Sequence, residues 1–304
     1  MLSIVCLFLN VKTFAQQQPV TDLYLFEGLT INPAFAGSQV QISMTAIHKD
    51  QWVNFPGSPV TQLFSAHSGF LKSKIGVGFL ISADKIGIHT DTGIYGQYSY
   101  KIKTDYGTLS MGLQGGFNNI SSDFNKLDVK YADPSLQGVR NSFNPNFGAG
   151  LYFQNEAIFA GLSVPYILNS KLDGATLQNV NIISLAQRSR YYYLYGGLTF
   201  PVNEYIKFKP AALIRVQEDA PLTFDFNVGF VFYEVMKIGA VHRLTDSMIY
   251  TVELALMESL HLGYSYQQTI SDISSYANGS HEIMINYRIK IPKIHEGLKC
   301  PSYF

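Results

Sequence analysis

The chain is poor in charge. Asp, Glu, Lys and Arg make up only 14% of its 304 residues, against roughly 25% in an ordinary soluble domain. The 22 basic and 22 acidic residues cancel, so no field attracts a polyanion and no nucleic-acid partner is expected. Cysteine is nearly missing: Cys6 and Cys300 are the two, which leaves no CxxC metal or redox pair. Beyond the first residues no run of about 18 apolar residues occurs, which excludes a helical membrane span. HExxH and GxSxG are absent, and the pairs Gly76/Gly78 and Gly148/Gly150 lack the third glycine and following helix that phosphate binding needs. Asp123 and Asp128 lack calcium-loop spacing. The seven histidines are scattered, His67, His242, His261 and His281 in or beside predicted strands. A hydrolase built on a chance Ser-His pair therefore stays open as an alternative, but no catalytic, metal or cofactor set is expected.

What the chain has instead is aromatic residues, 20 Tyr and 21 Phe with one Trp, and alternation. Side chains on a strand point to its two faces in turn. Phe224, Phe226, Val228, Phe230 and Phe232 therefore share one face, and Asp225, Asn227 and Gly229 the other. The pattern recurs at Ile75 to Ile81, at Leu109 to Phe117 and at Ile283 to Ile291. Strands are predicted at about 38–48, 59–69, 74–83, 92–103, 108–118, 145–154, 156–165, 189–200, 205–216, 221–232, 235–243, 248–257, 259–267 and 280–291. Tight connections at Thr104 to Gly107, Gln154 to Glu156, Pro201 to Glu204 and Met257 to Ser259 contrast with long ones at Asn119 to Asn144, Tyr166 to Arg188 and Gln268 to Gly279. That parity fits an all-β, antiparallel up-and-down transmembrane barrel of about 14 strands, with short periplasmic turns and longer outer loops. A sandwich would also alternate, yet its outer face carries Lys, Glu and Thr where this chain has Gly and Tyr; no repeat period supports a solenoid.

The expected organisation is a signal peptide over 1–15, an N-terminal periplasmic or plug-like segment over 16–37, an outer-membrane barrel over 38–292 and a tail over 293–304. The leader rests on the short apolar stretch Leu2 to Val11 followed by Thr13-Phe14-Ala15. Candidate lumen charges, on the phase opposite the apolar stripe, are Lys207, Lys209, Arg215, Asp225, Lys237, Arg243, Glu253, Glu282, Arg288 and Lys290. Both signs occur there, which fits cross-strand pairing that fills the lumen better than an ion-selective pore. Inward glycines at 76, 78, 112, 116, 148, 150, 197 and 263 leave room for Tyr95, Tyr152, Tyr193 and Tyr195 or for an inserted segment. Pro210 is expected at a bulge, and Tyr191 to Tyr193 at an interfacial girdle.

Asn32-Pro33-Ala34-Phe35-Ala36-Gly37 resembles the opening motif of the PorP/SprF family, outer-membrane proteins of the type IX secretion system in Bacteroidetes. In order follow Gln51-Trp52-Val53-Asn54-Phe55-Pro56-Gly57-Ser58-Pro59, Gly76-Val77-Gly78 with Asp84-Lys85-Ile86-Gly87, Gly161 to Pro165, Gly263 to Tyr266 and Gly279 to Ile283. Three positions at two places depart from the family pattern: His48-Lys49 stands where an aromatic and an arginine are usual, and Gln267 where an acid is often found. Lysine keeps the charge but loses the planar fork. The resemblance implies a non-enzymatic barrel in contact with outer-membrane lipid, the secretion machinery and secreted adhesin-type cargo bearing a C-terminal sorting domain, with a link to gliding motility. A passive or substrate-selective pore is the alternative. Asn32, Pro33, Gly37, Trp52, Pro56 and Gly57 are the candidate partner-contact or plug residues. For Asn32 to Gly37 an ordinary turn into the first strand competes with a plug, and for Trp52 an interfacial anchor competes with partner contact.

Overall fold

Alternation of this kind satisfies every backbone group without an edge only if the sheet closes on itself. In the computed structural model it does. The structure describes residues 21–39, 41–70, 74–127, 137–168, 190–217, 222–244 and 246–290. The strands are β1 (Ile42–Asp50), β2 (Val60–Phe70), β3 (Ile75–Ile86), β4 (His89–Thr104), β5 (Gly107–Asp123), β6 (Val139–Gln154), β7 (Ile158–Val164), β8 (Tyr191–Leu198) and β9 (Phe200–Pro201). They continue with β10 (Ile206–Gln217), β11 (Thr223–Phe232), β12 (Met236–Arg243), β13 (Ser247–Met257), β14 (Leu260–Thr269) and β15 (Ser280–Ile289). Each pairs antiparallel with its neighbours, and β1 pairs with β15 from Ile42↔Ile289 to Asp50↔His281, closing the ring. Since β8 and β9 both lie against β10, they form one stave, and the barrel has fourteen.

The two faces separate as the alternation requires. On β11, Phe226 and Phe230 are exposed on the outside, while Asp225 and Asn227 are each 1% exposed on the inside. On β5, Met111, Leu113 and Phe117 face out, and Ser110, Gln114 and Asn118 are buried inside. One end of the barrel carries the tight turns, at 105–106, 155–157, 202–205, 233–235 and 258–259, together with the entry to β1 and the exit from β15. The other end carries the longer connections, among them 51–59, 124–138 and 270–279, together with two tight ones at 87–88 and 244–246.

Four expectations need correction. The segment Asn119 to Asn144 is not all loop: β5 and β6 remain in register up to Asp123↔Val139, because Asn118, Ile120 and Ser122 keep the inward phase. Pro210 sits at no bulge. Its register with Val228 on β11 is unbroken, and pairing on the opposite side lapses at Leu198 and Thr199, between Ala211↔Gly197 and Phe208↔Phe200. Proline has no N–H to donate, so the ladder skips a rung between β8 and β9. Of Tyr191 to Tyr193 only Tyr192 faces out; Tyr191 and Tyr193 are buried in the lumen. The ordinary-turn reading of Asn32 to Gly37 is incomplete, because the segment from Thr21 to Ser38 runs inside the barrel, nearly every residue buried. The expected leader over 1–15, the tail over 293–304, both cysteines and most of Tyr166 to Arg188 lie outside the described residues.

Candidate functional site

The site is the filled lumen. Two short 3-10 turns, Gly28–Thr30 and Pro33–Phe35, fold the N-terminal segment. Asn32 starts the second by accepting a hydrogen bond from Ala34 N at 2.9 Å, with Pro33 preset at the first helical position. Gly37, at φ +63°, then takes the chain through a left-handed step toward β1.

The wall beneath this motif is made of glycine. A Cβ on Gly112 would stand 2.1 Å from Ala34 N, one on Gly150 2.1 Å from Asn32 Oδ1, and one on Gly76 2.0 Å from Ala36 O. These are distances no side chain can occupy, so β3, β5 and β6 carry glycine where the segment lies against their backbone. Polar groups of the wall then satisfy the segment's own backbone. Ser163 Oγ donates to Ile31 O at 2.6 Å, Ser99 Oγ to Ala36 O at 2.7 Å and Gln97 Nε2 to Leu29 O at 3.2 Å. Gly37 N donates to His67 Nδ1 at 3.1 Å, Lys101 Nζ donates to Gly37 O, and Asn32 Nδ2 donates to Leu151 O at 2.9 Å and Tyr195 Oη at 3.2 Å. Phe35 packs edge-on against His67 and Tyr152, with centroids 5.6 and 5.5 Å away. Leu23, Leu29, Ile31, Phe35, Tyr152, Tyr195, Leu213 and Met284 belong to one buried apolar cluster.

The upstream half of the segment is held differently. Asp22 meets Lys49 Nζ at 2.8 Å and Arg243 Nη2 at 3.5 Å, and its N–H donates to Glu282 Oε2 at 2.8 Å. Thr21 Oγ1 donates to Glu282, Thr45 Oγ1 donates to Glu27, and Lys237 lies 5.7 Å over the Phe26 ring. Around them the wall is ionic. Arg243 grips Asp225 bidentately with both bonds at 3.0 Å, Arg215 stands 3.9 Å from Asp225, and Glu253 takes Lys237 at 2.8 Å and His261 at 3.1 Å. Of the sequence-predicted lumen charges, Lys209, Arg215, Asp225, Lys237, Arg243, Glu253 and Glu282 are buried inside, while Arg288 is half-buried and donates to Asn286. Lys207 and Lys290 differ from expectation. They stand at the turn-end rim, half-exposed and exposed, paired with Glu234 and Glu258. Hydrogen bonding from Lys290 holds the exposed Glu258 carboxyl below its usual range.

The lumen charges expected from the sequence do not include Lys49, Asp22 or Glu27, which the structure adds to them. Lys49 is 2% exposed, on the inward phase of β1 in register with Glu282. The signal was present: Ser43, Thr45, Ile47 and Lys49 alternate with the outward Ile42, Met44 and Ala46.

At the loop end, 51–59 forms a tied platform. Val53 N donates to Gly279 O at 2.9 Å, Asn278 N to Val53 O at 3.0 Å, Trp52 N to Ser280 Oγ at 3.2 Å and Gly87 N to Gly57 O at 3.0 Å. Trp52 at φ 48° and Asn54 at φ 71° are left-handed, and Phe55, Pro56 and Gly57 form the exposed tip. Trp52, Pro56 and Gly57 thus lie at the opposite end of the barrel from Gly37. Beneath the platform, a cavity of about 60 Å³ separates Thr21, Thr30 and Ile31 from Thr61, Asp84 and Asp91. No group of three or more His, Cys, Asp or Glu among the described residues is placed to hold a metal ion.

Solved structures share the fold. The CymD monoaromatic hydrocarbon channel matches with a TM-score of 0.53 at 10% identity, over 88% of this chain and 94% of that one. The toluene transporter TbuX of Ralstonia pickettii gives 0.52 at 10%, over 88% and 93%. No curated protein matches. The family described as type IX secretion system membrane protein PorP/SprF matches residues 13–287, nearly the whole length. The chain belongs to that family, and it is an outer-membrane β-barrel of the type IX secretion system.

Proposed function

We propose that this protein is a non-enzymatic scaffold of the secretion system, shut by its own N-terminal plug. It supports export or surface anchoring of adhesin-type cargo through its loop end, with lipid around its apolar belt. The observation that carries this reading is the burial of Thr21 to Ser38 along the lumen on a seat of glycines. Direct bonds from β1, β2, β4, β6, β7, β8, β12 and β15 support a resident plug over a loosely entering tail. The cavity of about 60 Å³ beneath the loop-end platform has room for a few waters. In planar bilayers the purified protein is expected to be silent, and steady conductance would favour the pore reading instead.

Cargo contact is placed on 51–59, where a bulky residue in a left-handed conformation costs about 1–3 kcal/mol and such strain clusters at working surfaces. Trp52→Gly relieves the strain while removing the ring. The expected result is a normally folded barrel that no longer retains cargo at the cell surface; a barrel that fails to assemble would make Trp52 a packing residue.

A further inference from the structure

The buried charges of the wall do not balance by themselves. Lys49 on β1, Lys209 and Arg215 on β10, and Lys237 and Arg243 on β12 are five of the six Lys and Arg side chains buried in the wall among the described residues, Lys101 on β4 being the sixth. The same arc of β1 and β10 to β15 buries three carboxylates, Asp225, Glu253 and Glu282. Asp22, 2% exposed and supplied by the N-terminal segment, stands against two of these cations, 2.8 Å from Lys49 and 3.5 Å from Arg243, while Glu27 of the same segment, also 2% exposed, accepts a hydrogen bond from Thr45. Burial of charge requires a counter-charge, so Asp22 is an internal counter-ion of the wall. Arg215 shows the remaining demand: it is 6% exposed, and its Nε and Nη2 have no hydrogen-bond acceptor among the described residues.

The two halves of the segment are also held by different physics. Residues Asn32 to Gly37 lie directly against wall glycines, a fit that leaves no room for a Cβ at Gly76, Gly112 or Gly150. Thr21 to Glu27 are held by side-chain contacts instead, Asp22 on Lys49 and Arg243, Thr21 on Glu282 and Glu27 on Thr45, near the loop end where Lys49, Arg243 and Glu282 sit close to the ends of their strands.

We infer that Thr21 to Glu27 is a displaceable acidic stopper on a cation-rich wall, and that the wall is a binding surface for anions, carboxylate-bearing segments above all, once the stopper leaves. The motif from Asn32 to Gly37 remains as the anchor. This rests on the plugged-lumen reading above, and one recording separates the two. Wild-type protein in a KCl gradient tests the plug: silence supports it and steady conductance removes it. The double variant Asp22→Asn/Glu27→Gln tests the stopper. Heat-modifiable migration in gels establishes that the barrel is folded; should the pair fail to fold, Asp22→Asn alone serves the same comparison. The expected result is openings absent from wild type, with a reversal potential shifted toward the chloride equilibrium value. Adding Lys209→Gln/Arg215→Gln should abolish that shift. A folded variant as silent as wild type, or one whose openings prefer potassium, overturns the inference.

Discussion

At the residue scale, glycine and aspartate carry the account. Gly112→Ala puts a methyl 2.1 Å from a backbone nitrogen that has nowhere to go, so a loss of about 3 kcal/mol or more is expected, at the upper end of overpacking costs. Gly96→Ala is the matched control, since its nearest atom is 3.8 Å away. Thermal unfolding in detergent should separate the two clearly, and equal melting would show that nothing rests on the inner glycines. Asp22→Ala strips Lys49 and Arg243 of a shared buried partner, a change expected to cost about 3–5 kcal/mol. The same assay reads it, and a shift within error would mean the upstream half is not seated. At the exposed rim, Glu258 has a lowered pKa, so its pairing with Lys290 contributes above the ordinary carboxyl value of 4.5 and is lost as pH falls through the lowered one. Lys290→Met should move the Glu258 carboxyl titration upward in NMR; an unmoved midpoint would deny the contact.

At the element scale, the strands were readable because charge facing lipid is expensive and every stave repeats the same period. All fourteen staves were found, since Phe226/Asp225 or Met111/Ser110 state inside and outside without reference to neighbours. Strand ends were less readable. Asn119 to Asp123 look like loop residues because a stave that outruns the apolar belt has no need of apolar partners, yet its backbone still pairs. Pro210 shows the same limit: its missing donor is visible in sequence, but whether it bends a strand or drops a rung depends on which neighbour it faces. Pro210→Val is expected to restore the rung and raise hydrogen-exchange protection at Leu198 to Phe200. Unchanged exchange there would place the cause of the gap elsewhere.

At the scale of the whole molecule, the lumen was the part sequence stated least. Inward glycines and mixed charges allowed either packed tyrosines or an inserted segment, and both occur: Tyr152, Tyr193 and Tyr195 are buried on one side of the lumen and Thr21 to Ser38 runs beside them. The segment has neither a helical nor a strand period, because it is shaped by the cavity around it rather than by its own repeat. Asn32 and Gly37 were legible as turn formers, but not the wall they fit. The most direct test of the central claim, that the N-terminal segment occupies its own barrel, is a photo-crosslinker in place of Phe35 activated in intact outer membranes. Crosslinks within the same chain to Tyr152 or His67, whose rings lie 5.5 and 5.6 Å away, are the result expected. Crosslinks only to another protein, or none at all, would contradict it.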